Sequence, residues 1–372
     1  MTISRDAVQA ALATVIDPEI RRPITEIGML KDFTIDNNQV HVDVFITIAA
    51  CPMKDTITTS VQTAVGKVDG VDGVTVSLEP MSEEQREELR TKLQGPAKQI
   101  SFMKSDSLTR VYAIASGKGG VGKSSMTVNL AAAIAAQGKS VGILDADVYG
   151  HSIPDMLGIT AGPTQIDGMM LPPSAHGINV MSMLPFKPGG LHEPIAARGP
   201  MLHKYVEAFL TDVYWGDLDV LLFDMPPGTG DVPMSVARLL PHAELIVVTT
   251  PQTAAADVAI RSGMLAPAFE QKVFGVIENM SAFSCPHCGE PIELFGSGGG
   301  ELVAQTLSKN LDYDIPLLAK VAFDTRLREG GDSGQPLVID HPDSEAARQI
   351  AEIAERMTNR TRALSEVRLT VL

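Results

Sequence analysis

The sequence predicts an α/β protein, a doubly wound parallel sheet built around a phosphate-binding loop, with a small α/β domain in front of it. Three observations predict this. From about residue 107 onward, apolar runs alternate with helical segments. A G-x-x-x-x-G-K-S run lies between the first of those strands and the helix that follows it. Residues 94–106 (QGPAKQISFMKSD) break the periodicity, with Gly95-Pro96 as a stop signal, and read as a linker.

The first 93 residues form the smaller domain in this reading. Ser4 caps a helix whose apolar face is Val8, Leu12 and Val15. Residues 31–35 and 40–49 read as strands joined through Asp36-Asn37-Asn38. Val40, Val42, Val44, Ile46 and Ile48 keep a period of two. A helix over 55–68 and a strand over 74–78 follow. Ser82-Glu83-Glu84-Gln85 is a capping box that opens a charged helix to about residue 93.

The larger domain is placed at 107–372. Its candidate strands are 111–116, 141–145, 220–224, 245–249 and 274–277. Each is a nearly continuous apolar run, as a parallel strand covered on both faces requires. Helices are expected over 124–136 and 202–213, among others. In such a sheet ligands bind beyond the carboxyl ends of the strands.

Composition narrows the function classes. The chain has 372 residues, 44 % of them hydrophobic, and a formal net charge of −15. That charge disfavours non-specific binding to nucleic acid and to anionic lipid, so neither partner is expected. The first twenty residues lack the apolar run of a secretory leader, and nothing approaches ~18 consecutive apolar residues. The expected location is the cytoplasm. Three cysteines, Cys51, Cys285 and Cys288, are an odd and low count that does not fit a disulfide scaffold.

Gly117, Lys118, Gly119, Gly120, Val121, Gly122, Lys123 and Ser124 match a P-loop of a nucleotide-binding NTPase. Its glycines let the backbone wrap a phosphate, and the helix start presents free N–H groups to the anion. Lys123 is expected on the β- and γ-phosphates and Ser124 on Mg²⁺, with Ser125 beside them. ATP is the expected nucleotide. Asp145-Ala146-Asp147 ends one strand and Asp224 ends another, and a carboxylate at such a position suits Mg²⁺. Asp224 is the expected second Mg²⁺ ligand. For Asp145, structural support and a contact to Mg²⁺ are equally weighted. Asn279, after the strand at 274–277, carries an amide able to pair with an adenine edge.

Cys285-Pro286-His287-Cys288-Gly289 places two thiols three residues apart, a spacing that grips one metal ion or one edge of a cluster. Four ligands are normally needed, and Cys51 belongs to the other domain. The arithmetic favours two cysteines from each of two chains. Spacing alone leaves a [4Fe–4S] cluster, Zn²⁺ and a redox dithiol open.

Across about 107–340 the chain resembles the Mrp/ApbC family of P-loop ATPases. The resemblance rests on GKGGVGKS (117–124), DADVYGHSIP (145–154), RGPM (198–201), DMPPGTGD (224–231), VTTPQ (248–252), ENMS (278–281), CPHCG (285–289) and FGSGGG (295–300). It implies a deviant Walker A ATPase that hydrolyses ATP to ADP and phosphate. It also implies a homodimer that carries an iron–sulfur cluster and passes it to apo iron–sulfur client proteins, with cluster scaffold proteins as further partners. Lys118 is the family's added lysine, which reaches the partner chain's nucleotide. Asp147 orients the attacking water, Asp224 is the Walker B acid, and Asn279 contacts adenine. His151 departs from the family, which usually has Pro there. Residues 1–93 resemble the SufT/PaaD-like iron–sulfur assembly domain through Asp17-Pro18-Glu19 and the segment 47–53, with Cys51 as a candidate accessory thiol. The competing reading is a ParA/MinD-like partitioning or positioning ATPase, which shares the loop with the added lysine. A third is a metabolic P-loop enzyme with part of its pocket in the loop-rich stretch 158–174.

Overall fold

The computed structural model describes residues 3–47, 53–94, 100, 102, 107–147, 150, 153–183, 199–285 and 287–359. Cys51, His151, most of the expected linker and the tail 360–372 lie outside the described residues. Contacts group the chain into two compact units. One comprises 1–99 with 163–172 and 212–216, and the other comprises the rest.

In the first unit, Leu30–Asp36 pairs antiparallel with Gln39–Ile46, which pairs parallel with Gly73–Pro80. The hairpin turns at Asn37 (φ 45°) and Asn38 (φ 65°), side chains that tolerate the left-handed region. Val40, Val42, Val44 and Ile46 are all buried, so the period-two pattern is the buried face of that strand. Ser4 caps the helix Arg5–Ala13 by accepting from the Ala7 amide. Val8 and Leu12 of that helix share a core with Ile57, Val61 and Val65 of the helix Lys54–Val65. The capping box is present: the Ser82 amide donates to Gln85 Oε1 at 2.8 Å, and the Gln85 amide donates to Ser82 Oγ at 3.2 Å.

Residues 158–174, expected to be loop, contain a short hairpin instead. Thr164–Ile166 pairs with Met169–Leu171 through Asp167 (φ 44°) and Gly168 (φ 81°). Asp-Gly is a strong hairpin signal, but strands of only three residues obscure it here. Ile166, Met169 and Leu171 add to the core of the first unit although they follow the phosphate loop in sequence.

The second unit is built on an eight-stranded sheet. Its order is Leu317–Lys320, Val273–Glu278, Glu244–Thr249, Arg110–Ser116, Val220–Asp224, Val141–Asp145, Ile178–Ser182 and Ser174–Ala175. All neighbours pair parallel except the last two, which are antiparallel. The five strands expected from sequence occupy the centre. Arg110–Ser116 lies between strands that come later in the chain, so the loop leaving it emerges where the strand order reverses. The helix Lys123–Ala136 is buried almost all round, as its apolar, Ala-rich sequence requires. It packs against the helix Glu345–Thr358, whose Ile350, Ile353, Ala354 and Met357 belong to the same core. Among the described residues no helix is long and apolar enough to cross a membrane.

The helix Glu345–Thr358 starts at Ser344, a buried residue whose hydroxyl accepts from the Ala347 amide at 3.2 Å. Ser344→Ala is expected to cost about 1 kcal/mol, a fall of about 2–4 °C in the melting temperature of a unit this size. Differential scanning calorimetry checks it, and Ser344→Asp, which keeps the cap, should restore the value.

Candidate nucleotide site and thiol hairpin

The phosphate loop is shaped by glycine at two positions where no other residue fits well. Gly120 and Gly122 both have φ 80°, the left-handed region. Gly117 is required for a different reason. A Cβ there would lie 2.3 Å from the Val258 carbonyl carbon and 2.4 Å from the Ala259 nitrogen, both backbone atoms of the helix Thr253–Gly263. The loop therefore starts in backbone contact with that helix and ends as the N-cap of the helix Lys123–Ala136.

At that helix start the expected side chains converge. Lys123 Nζ donates to Asp224 Oδ2 at 2.6 Å, and the Ser124 hydroxyl donates to the same oxygen at 2.6 Å. Thr127, one turn further, donates to Asp224 Oδ1 at 2.7 Å. Lys123 Nζ also lies 3.8 Å from Asp147 Oδ2. Side-chain exposure is 6 % for Lys123 and 1 % for Asp224, so this ion pair is shielded from water.

Asp145 is fully enclosed and takes hydrogen bonds from the Ser182 hydroxyl (3.0 Å) and the Asp147 amide (3.2 Å). Burial pushes its carboxyl well above the usual carboxylate range, and the nearby Asp224 charge adds to that. The Lys123 charge and the Ser182 bond oppose it. With one oxygen on the Ser182 hydroxyl and the other on the Asp147 amide, its position suits support of Asp147. Asp147 Oδ1 in turn accepts from the Gly150 amide at 3.0 Å.

Asn279 is buried at the end of the strand Val273–Glu278 and reaches the phosphate loop. Its amide Nδ2 donates to the Val121 carbonyl at 2.9 Å, and its backbone N–H donates to the Thr249 carbonyl. Its preceding neighbour Glu278 is also buried and accepts from the Gly300 amide and the Ser281 hydroxyl. Lys118, at the other side of the loop, is half-buried and donates to Gln252 Oε1 at 3.1 Å. Ser125 gives its carbonyl to the Asn129 side chain. Thr127 and Ser182 are not distinguishable from ordinary polar positions in the sequence, while Gln252 and Glu278 fall in the VTTPQ and ENMS motifs, which give no sign of their hydrogen-bond partners. The i, i+4 spacing of Lys123 and Thr127 is the one signal that puts Thr127 on the Asp224 side of the helix.

The two cysteines sit in a small hairpin, Phe283–Ser284 paired with Pro291–Ile292. The Cys285 amide donates to the Glu290 carbonyl, and the Gly289 amide, at φ 76°, donates to the Cys285 carbonyl. Cys288 is exposed and Cys285 half-buried. The amide groups of Cys288 and His287 aim at the Cys285 sulfur, and the Cys288 side chain adds a further bond. Together they hold the Cys285 thiol below its ordinary pKa. Two thiols on one tight turn with amides directed at sulfur suit a thiophilic metal or cluster. Among the described residues no group of three or more His, Cys, Asp and Glu is arranged to hold a metal ion.

The profile of the NUBPL iron-transfer P-loop NTPases matches residues 107–358, and that of an iron–sulfur cluster assembly protein matches residues 5–78. The chain belongs to the NUBPL iron-transfer P-loop NTPase family. The iron–sulfur cluster carrier protein of Mycobacterium tuberculosis (strain H37Rv) is 53 % identical over 366 residues, 98 % of this chain and 95 % of the relative. That of Bacillus subtilis (strain 168) is 39 % identical over 316 residues, 85 % and 88 % of the two chains. Among solved structures, a nucleotide-binding protein of Archaeoglobus fulgidus in complex with ADP is 32 % identical with a TM-score of 0.52. The match covers 71 % of this chain and 95 % of that one.

Within the part that matches the assembly-protein profile, Asp17 is buried. Its Oδ1 accepts from the Glu19 and Ile20 amides at 3.0 and 2.7 Å, so it fixes a turn. Burial raises its pKa against those bonds. Glu19 accepts from Thr164, and burial raises its pKa as well.

Gly117→Ala should destabilise this NTPase by about 3 kcal/mol through backbone overpacking. Gly119→Ala, where a Cβ meets nothing within 4 Å, should not. Thermal melts of both variants decide. Cys285 should be alkylated by iodoacetamide with a pH midpoint below the roughly 8.5 of a free thiol, because a lowered pKa shifts thiolate formation to lower pH. Residue-resolved mass spectrometry against pH reads the midpoint.

Proposed function

We propose that this NTPase binds and hydrolyses ATP to control a homodimer that carries a [4Fe–4S] cluster and delivers it to apo-proteins. The observation that carries the proposal is the pairing, in one compact unit, of a complete phosphate loop with an exposed two-thiol hairpin. The full-length similarity to chains named iron–sulfur cluster carrier proteins supports it. A cluster is the cargo, held by Cys285 and Cys288 of each chain across a two-fold axis. Four thiolates then complete a coordination that two cannot. Zn²⁺ is the competing occupant of the same sulfur set. Cys51 is retained as a candidate accessory thiol, and apo iron–sulfur clients and scaffold proteins as partners.

ATP would lie with its phosphates on the 117–124 loop and its adenine by Asn279. Ser124 and Asp224 form a hard-oxygen pair of the kind Mg²⁺ takes, and their 2.6 Å contact supports a role on one shared ion. Mg²⁺ would neutralise charge on the phosphates and draw electron density from the bond that breaks. Lys123, here on Asp224, would turn to the phosphates of a bound nucleotide, leaving the Asp224 carboxylate to hold Mg²⁺. Asp147, hydrogen-bonded through Gly150, would orient a water for attack on the γ-phosphorus, giving ADP and phosphate. Lys118 would reach the partner's nucleotide, as a cation that stabilises charge on the transferring group.

The partitioning-ATPase reading rests on the loop alone. It leaves the thiol hairpin and the assembly-protein match at 5–78 without a role.

Anaerobic reconstitution with iron and sulfide should give a broad visible absorption and about four irons per dimer. Cys285→Ala and Cys288→Ala should lose it while retaining ADP affinity, measured by calorimetry. Lys118→Ala should lose more than about tenfold in ATP turnover and keep ADP affinity. Reconstituted protein that holds only zinc overturns the cluster reading.

A further inference from the structure

The helix Thr253–Gly263 opens on Gln252, an exposed residue. Its backbone carbonyl accepts from the Ala255 and Ala256 amides, but its side chain makes no capping bond. Ser, Thr, Asp or Asn would serve the helix better there. The Gln252 amide oxygen instead accepts from Lys118 Nζ at 3.1 Å. The backbone around that lysine is already tied down. Gly117 abuts the Val258–Ala259 peptide of the same helix. The Ser262 hydroxyl donates to the Ser116 carbonyl at 3.4 Å, and the Ser116 hydroxyl donates to the Lys118 carbonyl at 3.1 Å. The Cα of Lys118 is therefore held in place. Only its flexible four-carbon stem decides where the ammonium goes.

We propose that Gln252 is the positioning residue that keeps the Lys118 ammonium within its own subunit, withholding it from a second chain's nucleotide until the two chains meet. The proposal rests on the reading of Lys118 as a lysine acting across a dimer. A neutral, exposed amide is a modest acceptor for a cation, and phosphate oxygens are far stronger ones. The contact therefore restrains the lysine in the separate chain and yields once a triphosphate comes within reach. A carboxylate in place of the amide would form an ion pair and hold longer. Alanine would let the ammonium move freely.

The test uses the full chain and follows ATP turnover against protein concentration, with ADP affinity from a fluorescent ADP analogue and melting temperature alongside. Gln252→Glu should lower turnover about three- to tenfold, and Gln252→Ala should raise it about two- to threefold at low protein concentration. Both should keep ADP affinity within about twofold. On a Lys118→Ala background neither substitution should change the residual rate, because their effect runs through the lysine. A helix-capping role would move both variants the same way and lower the melting temperature. Unchanged turnover in both Gln252 variants, with Lys118→Ala inactive, overturns this inference and leaves the lysine reading standing. Wild-type turnover in Lys118→Ala overturns the lysine reading, and this inference with it.

Discussion

The nucleotide site depends on how one buried carboxylate is satisfied. Asp224 ends a central strand with almost no exposure to water, and its two oxygens take donors from Lys123, Ser124 and Thr127. Removing charges of this kind from water carries a penalty of several kcal/mol per ion, which only close pairing and full hydrogen bonding offset. All three donors lie on the first two turns of one helix, so satisfying Asp224 also docks that helix against the strand. The phosphate loop is the connection that results. Its left-handed glycines at 120 and 122 let the segment 117–122 turn from strand to helix without strain.

The same requirement governs the neighbouring strand ends. Asp145 directs its oxygens to Ser182 and the Asp147 amide, and so fixes the position of the acid two residues on. At the end of the strand Val273–Glu278, Glu278 holds the Gly300 amide at the start of the helix Gly299–Leu311, while Asn279 holds the phosphate loop at Val121. The thiol hairpin runs between those two anchors in sequence. The phosphate loop and the segment that carries the cysteines are thus both attached at one strand end.

Much of this is legible along the chain. The five central strands, the position of the loop between a strand and a buried helix, the capping box at Ser82 and the hairpin turn at Asn37-Asn38 all follow from local rules. Asp145, Asp147, Asp224 and Asn279 fall at strand ends because apolar runs stop there. Less legible are the edge pieces. Leu317–Lys320 and Ser174–Ala175 are short, and Ile178–Ser182 follows a Gly-rich stretch, so none offers enough period to read. The hairpin at 164–171 has a clear Asp-Gly turn, but its membership of the first unit's core depends on non-local packing.

The fold class, the phosphate loop, the two-thiol motif and the family are all readable from the amino-acid order, since each is written in spacing and residue type along a continuous stretch. Which groups share a partner is settled only in three dimensions. Thr127 with Asp224, Ser182 with Asp145, Asn279 with the Val121 carbonyl and Gln252 with Lys118 join residues from 37 to 158 positions apart. Such pairs form because buried polar groups must be satisfied by whatever the fold brings near. That constraint acts through space and leaves no pattern along the chain.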